Sequence, residues 1–332
     1  MELSELLQKL TDLNGTSGYE EEVSNFITDT LTQNRISYHK DRLGNIIVRT
    51  GENPNRIALF AHMDEVGFGV RGIREDGMLQ FAPIGGVTDA ILFSSCVEIG
   101  SKRIPGVIGN IPKHLQEKKT DTDPKIPDMT IDIGATSYED AVSTVHIGDP
   151  IYWKSEFVTF GDGLIKAKAL DDRVGVAVIL MLLLKQEYSF TAVFTTREEI
   201  GILGAKMATP LIAPQKALVL EVTTCADMPS VEEKTTRLGQ GVALSIMDGG
   251  SVADQTFNSE IIALAQKHKI PLQKKLTTKG GNDAGAVTYV SGGIPTTALS
   301  LPGRYIHSPV SVISEADLDS MYRLTEILLQ EL

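Results

Sequence analysis

Residues 170–199 read LDDRVGVAVILMLLLKQEYSFTAVFTTREE, and this stretch decides the fold. Its apolar segment at 174–184 is far shorter than the ~20 residues that a membrane span needs, so it predicts a buried helix. The segment at 190–196 is short, apolar and rich in aromatic and β-branched residues, which predicts a strand. The acidic pair Glu198 and Glu199 follows that strand directly. A helix and a strand joined by a short polar connection are typical of an α/β fold.

The same alternation continues on both sides of this stretch. Helical spacing of apolar residues predicts helices over 3–13, 172–185, 201–208, 254–268 and 315–330, and apolar runs predict strands over 56–62, 190–196, 217–222, 242–247, 272–277 and 295–301. Capping-box spacings predict that Ser17 opens a further helix and that Ser314 and Asp317 open the last one. Strands alternating with helices predict a largely parallel sheet covered on both faces, with functional side chains at the carboxyl ends of its strands.

Residues 68–160 have a different texture. Helical periodicity is nearly absent, and short β-like runs such as 97–99 and 149–153 are interrupted by Gly and Pro. We therefore expect a small β-rich domain, 68–160, inserted into an α/β domain formed by 1–67 and 161–332.

The segment GFGVRG at 67–72 matches the G-x-G-x-x-G pattern of dinucleotide-binding proteins. That pattern needs a strand before it and a helix after it. Here the residues that follow, 72–77, predict a hairpin. Dinucleotide binding is therefore not expected.

Composition and charge exclude several other classes. The chain has 332 residues, 42 % of them hydrophobic, with 43 acidic against 31 basic residues and a net charge of −12. This is a globular composition, and its acidic balance argues against nucleic-acid binding. Residues 1–13 lack the basic and apolar segments of a signal peptide, and two cysteines are too few for a disulfide framework. We expect a cytoplasmic protein with neither nucleic acid nor membrane as a partner.

Polar side chains gather where predicted strands end or helices begin. They comprise two histidines and at least four carboxylates, namely His62, Asp64, Asp171, Asp172, Glu198, Glu199, Glu221 and His307. Clustered carboxylates repel at neutral pH, and each takes up a proton unless a cation lies between them. Two imidazoles with three or four carboxylates suit Zn²⁺, Co²⁺ or Mn²⁺. Two such ions about 3.5 Å apart can hold an attacking water between them.

Each of these patterns alone has a simpler interpretation. A histidine after a strand is usually part of a solvated loop, and Asp171 and Asp172 are also typical acids of a helix N-terminus. Glu198 and Glu199 are equally compatible with a solvated turn. Only their joint placement favours a metal site, and the residues by themselves leave both interpretations open.

Several segments, in order along essentially the whole chain, resemble the glutamyl aminopeptidase/endoglucanase-M family of the zinc-peptidase clan MH. They are AHMDEVGF (61–68), ALDDRVG (169–175), EEIG (198–201), GGNDAGA (280–286) and RYIHSP (304–309). The family consists of tetrahedral, dinuclear metallo-aminopeptidases. The resemblance implies a three-layer, phosphorylase/hydrolase-like α/β catalytic domain interrupted by a small, PDZ-like β-barrel that serves dimerisation and assembly.

The resemblance also implies ligands for two divalent ions, Zn²⁺, Co²⁺ or Mn²⁺. Asp171 would bridge both ions, His62 and Glu221 would complete one site, and Glu199 and His307 would complete the other. Relatives usually carry Asp where this chain has Glu221, and the extra methylene moves the carboxylate by about one bond length.

Two further residues have implied roles. Asp64 would orient His62 through the second ring nitrogen of that histidine. Glu198 would be the general base. Asp172 follows a peptide bond that is often cis in this clan.

The implied reaction is removal of N-terminal residues from short peptides by a water held between the two ions. The implied assembly is a homo-oligomer, a tetrahedral dodecamer built from dimers. One alternative is an endoglucanase-type glycoside hydrolase, which needs only two carboxylates and leaves His62 and His307 without a role. A second alternative is a non-catalytic, metal-binding assembly protein.

Overall fold

A computed structural model describes residues 2–111, 125–228, 236–277 and 279–332. Its helices are α1 (Leu3–Thr11), α2 (Glu21–Gln33), α3 (Tyr138–Val142), α4 (Leu170–Lys185), α5 (Leu203–Ile212), α6 (Gln255–Lys267), α7 (Ala284–Val287) and α8 (Glu315–Glu331). Its strands are β1 (His39–Lys40), β2 (Ile46–Thr50), β3 (Ala58–His62), β4 (Gly67–Ile73), β5 (Leu79–Ile84), β6 (Cys96–Ile99), β7 (Ile104–Gly109), β8 (Thr130–Asp132), β9 (Pro150–Trp153), β10 (Val158–Phe160), β11 (Leu164–Ala167), β12 (Phe190–Thr195), β13 (Ala217–Thr224), β14 (Val242–Met247), β15 (Leu272–Leu276), β16 (Thr296–Arg304) and β17 (Ser311–Ser314). Among these residues no helix combines the length and apolar character needed to cross a bilayer.

The stretch that predicts the fold forms α4 and β12. Twelve of the sixteen residues of α4 are buried, on all sides of the helix, because α1, α8 and the sheet surround it. This explains why its apolar residues do not follow a one-sided pattern. All six residues of β12 are buried as well.

An eleven-stranded sheet forms the larger part of the molecule. Nine strands lie in the order β1-β2-β12-β3-β13-β16-β17-β11-β10, and β14 and β15 join it through β16. The four adjacent strands β12, β3, β13 and β16 are parallel, as are β14 and β15, whereas the other pairs are antiparallel. The prediction of a largely parallel sheet is therefore wrong outside these strands. Short connections such as that from β16 to β17 allow antiparallel pairing without a crossover helix.

Helices cover both faces of this sheet. In β3, Leu59 and Ala61 belong to one buried cluster, which is built with residues of α1, α2, α4 and α8. Ala58 and Phe60 point the other way, into a second cluster with residues of α5 and α7. Because alternate residues of a strand face opposite sides, the sheet is the middle of three layers, as expected.

The strands between Gly67 and Trp153 form a separate, closed six-stranded barrel in the order β4-β5-β8-β7-β6-β9. Its core contains Phe68, which meets Phe81 and Trp153 edge to face at centroid distances of 5.2 and 4.9 Å. The GFGVRG segment lies in β4 and turns into β5 as an antiparallel hairpin, which confirms that prediction. β10 lies within the expected insertion, 68–160, but pairs with β11 in the large sheet.

The predicted helix cap at Ser17 is wrong. The helix α2 begins at Glu21, and the hydroxyl of Ser17 donates instead to Oδ2 of Asp64 at 2.5 Å. Both atoms are buried. A partner 47 residues away satisfies this hydroxyl, so the local spacing that suggested a cap does not decide its role.

Ser314 occupies the N-cap position of the last helix, as predicted, but the predicted capping-box bonds are not formed. Ser314 makes no side-chain capping bond in the described structure, and the carboxylate of Asp317 binds a different loop. Its Oδ2 accepts the N–H of Gly239 at 2.7 Å, and its Oδ1 accepts that of Gly241 at 2.6 Å. Burial raises the pKa of Asp317 to about 6, although the two N–H groups lower it.

This carboxyl predicts a pH-dependent contribution to stability. In the unfolded chain the pKa of Asp317 is about 3.9, so between about pH 4 and 6 only the folded chain holds the proton. Stability from this group is therefore present below pH 4 and lost as the pH rises through about 6. Relative to D317N, which cannot titrate, the wild type should lose roughly 1–3 kcal/mol of unfolding free energy between pH 4 and 7 in urea titrations.

The control is D319N, which removes an exposed carboxyl from the same helix. It should follow the wild type at every pH. A constant difference between wild type and D317N over this range would contradict the prediction.

Candidate metal centre

The carboxyl ends of the parallel strands bring the predicted ligands to one edge of the sheet. His62 ends β3, Glu198 and Glu199 follow β12, and Glu221 lies in the second half of β13. His307 follows β16, and Asp171 and Asp172 lie in the first turn of α4. The register of the strands places these residues at similar heights in the sheet, because His62 pairs with Thr195 and Glu221 pairs with Ser300 on neighbouring parallel strands. Side chains that are distant in sequence thus meet at the expected edge.

Asp171 lies between the two histidines. Its Oδ1 is 3.4 Å from Nε2 of His62, and its Oδ2 is 3.5 Å from Nε2 of His307. The same nitrogen of His307 lies 3.3 Å from Oε1 of Glu199. His62, Asp171 and Glu199 also offer ligand atoms that all lie within 4.8 Å of one another. Three of the other four predicted ligands, His62, Glu199 and His307, are therefore clustered around Asp171.

The spacing of these atoms fits bound metal ions. Separations of 3.3–3.5 Å between nitrogen and oxygen are longer than most hydrogen bonds of this type. Two donors of one tetrahedral Zn²⁺, each about 2.0–2.2 Å from the ion, lie about 3.4 Å apart. The imidazole and carboxylate donors are also those that such ions prefer. Both the donor set and its spacing are therefore suitable for metal ligation.

Both histidines are oriented through their other ring nitrogen. Nδ1 of His62 is 3.0 Å from the backbone oxygen of Asp64, and Nδ1 of His307 is 2.9 Å from that of Gly86. A carbonyl only accepts, so Nδ1–H donates in each ring, and Nε2 is the nitrogen that faces Asp171 and could ligate a metal once it has lost its proton. Gly86 follows β5, so the barrel segment positions one of the two rings.

The side chain of Asp64 holds the acidic loop after β12. Its carboxylate lies 3.5 Å from Nδ1 of His62 and accepts the backbone N–H of Glu198 at 2.9 Å and of Glu199 at 3.1 Å. The Ser17 hydroxyl supplies a further donor at 2.5 Å. Asp64 therefore fixes the backbone of both glutamates, a role that the HMD pattern alone does not reveal.

The pKa values of the cluster favour positive charge next to its carboxylates. Burial lowers the pKa of His307, but Asp171 and Glu199 raise it to about 9 overall. Burial also lowers the pKa of His62, and bonds to Asp171 and Asp64 outweigh it, so this pKa is raised well above its usual value. Burial and the neighbouring Asp171 raise the pKa of Glu199 to about 7. Without metal, protons therefore neutralise the site; a cation would displace them.

Glu198 lies next to this cluster. It is half-buried, and desolvation together with the carboxylates around it raises its pKa well above the usual value. One of those carboxylates is Asp283 of the GGNDAGA segment, whose Oδ2 accepts the hydroxyl of Thr195 at 2.6 Å. Burial raises the pKa of Asp283 to about 6.

Glu221 has different partners from the other predicted ligands. Its Oε1 accepts from Nζ of Lys275 at 2.8 Å and from Oγ of Ser300 at 2.5 Å. The next residue, Val222, directs its N–H toward Oδ1 of Asp171 at 3.4 Å. Sequence reasoning missed Lys275 and Ser300, since nothing in their own strands marks them as neighbours of Glu221.

Asp172 supports the site through hydrogen bonds to backbone N–H groups. Its Oδ2 accepts the backbone N–H of His62 at 3.2 Å, and its Oδ1 accepts that of Gly175 at 2.9 Å. The peptide bond between Asp171 and Asp172 is cis, as the resemblance implies. A cavity beside the cluster is lined by Asp171, Glu199 and His307 and, from the barrel, by Trp153.

Comparison with known proteins first gives the class: the chain is a peptidase of the aminopeptidase type. It belongs to the M42 glutamyl aminopeptidase family, whose model matches residues 44–324. Peptidases of this family are metal-dependent, in agreement with the donor cluster around Asp171.

Three relatives illustrate the similarity. The glutamyl aminopeptidase of Lactococcus lactis is 31 % identical over 334 residues, which cover 96 % of this chain and 93 % of the relative. The lysyl aminopeptidase of Pyrococcus furiosus is 29 % identical over 338 residues, which cover 99 % and 97 %. The TET1 peptidase of Pyrococcus horikoshii, which can assemble into a tetrahedron or a large octahedral shell, is 31 % identical, with a TM-score of 0.90 and complete coverage of both chains.

The charge of the cluster predicts that metal ions stabilise the folded protein. At a Zn²⁺ or Co²⁺ concentration about 100 times the dissociation constant, binding contributes about 2.7 kcal/mol and raises the Tm by about 4 °C. H307A removes one donor and should lose much of this shift in thermal unfolding experiments. H146A removes an exposed histidine and serves as the control. An equal shift in wild type and H307A would contradict the assignment.

Proposed function

We propose that this protein is a dinuclear metallo-aminopeptidase that removes N-terminal residues from short peptides. The observation that carries the proposal is the position of the Asp171 carboxylate, with one imidazole 3.4 Å from Oδ1 and another 3.5 Å from Oδ2. A carboxylate in this position is suited to bridge two cations. Membership of an aminopeptidase family supports the same reaction class.

The proposed ligands divide into two sets that share Asp171. His62 and Glu221 complete one set, and Glu199 and His307 complete the other. Zn²⁺ and Co²⁺ suit these nitrogen and oxygen donors, and Mn²⁺ is an alternative. When bound, the two ions supply Lewis acidity, which polarises the scissile carbonyl and lowers the pKa of the attacking water.

Glu198 is the proposed general base. The carboxylate of Asp64 accepts the backbone N–H of Glu198 at 2.9 Å, which orients Glu198 through its backbone. Among the described residues, no side chain hydrogen-bonds to its carboxylate, so both oxygens are available to a water. Its raised pKa favours accepting a proton from the attacking water and passing that proton to the leaving amine.

The barrel is proposed to have two roles. Through Gly86 and Trp153 it orients His307 and forms one wall of the cavity beside the cluster. We further propose that the segment 68–160 is a PDZ-like assembly domain and that 1–67 with 161–332 is the catalytic domain. The TET1 peptidase of Pyrococcus horikoshii, which can assemble into a tetrahedron or a large octahedral shell, supports the assembly part of this proposal. The short apolar segments and the two unpaired cysteines support a cytoplasmic location.

The first test separates catalysis from metal binding. E198Q keeps the ligands but lacks the proton acceptor, so turnover should fall by about 10²-fold or more while two ions per chain remain by elemental analysis. D171A removes the shared ligand and should lose both ions. E187Q, which changes an exposed glutamate, is the matched control. Near wild-type turnover in E198Q would disprove its role as the base.

The substrate class is tested on a panel of aminoacyl-nitroanilides. Chelator-sensitive release of nitroaniline, restored by Zn²⁺, Co²⁺ or Mn²⁺, is the expected result for the wild type. Chelator-insensitive release of sugar from a glucan would instead support the glycoside hydrolase. Full metal loading without either activity would support a non-catalytic assembly protein.

The assembly is tested by size-exclusion chromatography with light scattering. A dodecamer of this 36.0 kDa chain has a mass of about 430 kDa. The barrel exposes Phe93 and Ile147, with 56 % and 69 % of their surface accessible, so a charge at either position should shift the mass toward smaller species. Exclusively monomeric wild-type protein at working concentration would contradict the proposed assembly.

A further inference from the structure

Lys275 brings a buried cation into the candidate metal centre. It lies in β15, is 8 % exposed, and places Nζ 2.8 Å from Oε1 of Glu221. The hydroxyl of Ser300 donates to the same oxygen at 2.5 Å. A carboxylate oxygen has two lone-pair directions, so these two donors fill Oε1. Only Oε2 of Glu221 is then available to a metal ion.

This ammonium pairs with Glu221, and the shared ligand Asp171 has different neighbours at its two oxygens. Oδ1 of Asp171 faces Nε2 of His62 at 3.4 Å and the N–H of Val222, the residue after Glu221, also at 3.4 Å. The Oδ2 side faces His307 and Glu199. In the described part of the chain, no Lys or Arg forms an ion pair with Glu199. Of the two proposed ligand sets, only the one that contains Glu221 thus includes a carboxylate paired with a lysine.

Building on the proposed dinuclear site, we propose that Lys275 makes the two metal positions unequal. Its ammonium compensates the charge of Glu221 and repels a cation bound there, which weakens the position formed by His62, Asp171 and Glu221. The position formed by Asp171, Glu199 and His307 has no paired lysine or arginine among the described residues. It fills first, and the position next to Lys275 fills second and exchanges its ion more readily.

The inference is tested by metal affinity rather than by activity. Chelator-stripped wild type, K275M and K275Q are titrated with Zn²⁺ against a competing chromophoric chelator, and bound metal is counted by elemental analysis. K275M removes charge and hydrogen bond together, whereas K275Q keeps a donor for Glu221 without the charge. K274M, which changes the exposed neighbour on the same strand, is the matched control. Circular dichroism verifies that each variant is folded.

The wild type should show two unequal dissociation constants. In both K275M and K275Q the weaker constant should decrease by about tenfold or more, while the tighter one stays within about threefold. K274M should leave both constants unchanged. A wild type that retains one ion at a metal concentration at which K275Q retains two would support the same conclusion.

Unchanged constants in both variants, or weaker binding of the second ion, would overturn the role of Lys275. Weaker binding would mean that Lys275 orients Glu221 for the metal instead of opposing it. Either result, with two ions bound, leaves the proposed function intact. A wild type that binds no ion would overturn the dinuclear site and this inference together.

Discussion

The accumulation of negative charge at one edge of the parallel strands is the constraint on which the rest of the structure depends. Asp171 and Glu199 lie close together in a largely buried space, and burial together with Asp171 raises the pKa of Glu199 to about 7, so nearby cations favour the ionised form of both. Two kinds of side chain compensate this negative charge. Histidines face Asp171 at both oxygens, and a lysine neutralises Glu221. Metal ions, when bound, would complete the compensation.

Holding such a cluster open requires rigid support. Backbone N–H groups provide much of it, since those of Glu198 and Glu199 bind Asp64 and that of His62 binds Asp172. The first two bonds join the loops that follow β12 and β3, and the third joins the end of β3 to the start of α4. Asp64 and Asp172 thus hold the backbone of the ligand residues in defined positions although the carboxylates of the cluster repel one another.

The elements with strong local signals were predictable, whereas side-chain partners were not. α4 and β12 follow from the apolar runs in residues 170–199, and the barrel region follows from the loss of helical periodicity after Phe68. Ser17 and Asp317 matched capping spacings, yet they bind Asp64 and the loop at Gly239. A buried partner from a distant segment competes with the local helix end, and sequence spacing carries no information on that competition.

By itself, the sequence determined the α/β class, the inserted β-rich segment and the residue types that favour a metal site, because periodicity and composition are local properties. Tertiary structure alone decided which donors meet at Asp171, that the sheet is parallel only in part, and that the carbonyl of Gly86 orients His307. It also decided that Lys275 pairs with Glu221. These outcomes depend on strand order and register, which bring together residues more than fifty positions apart.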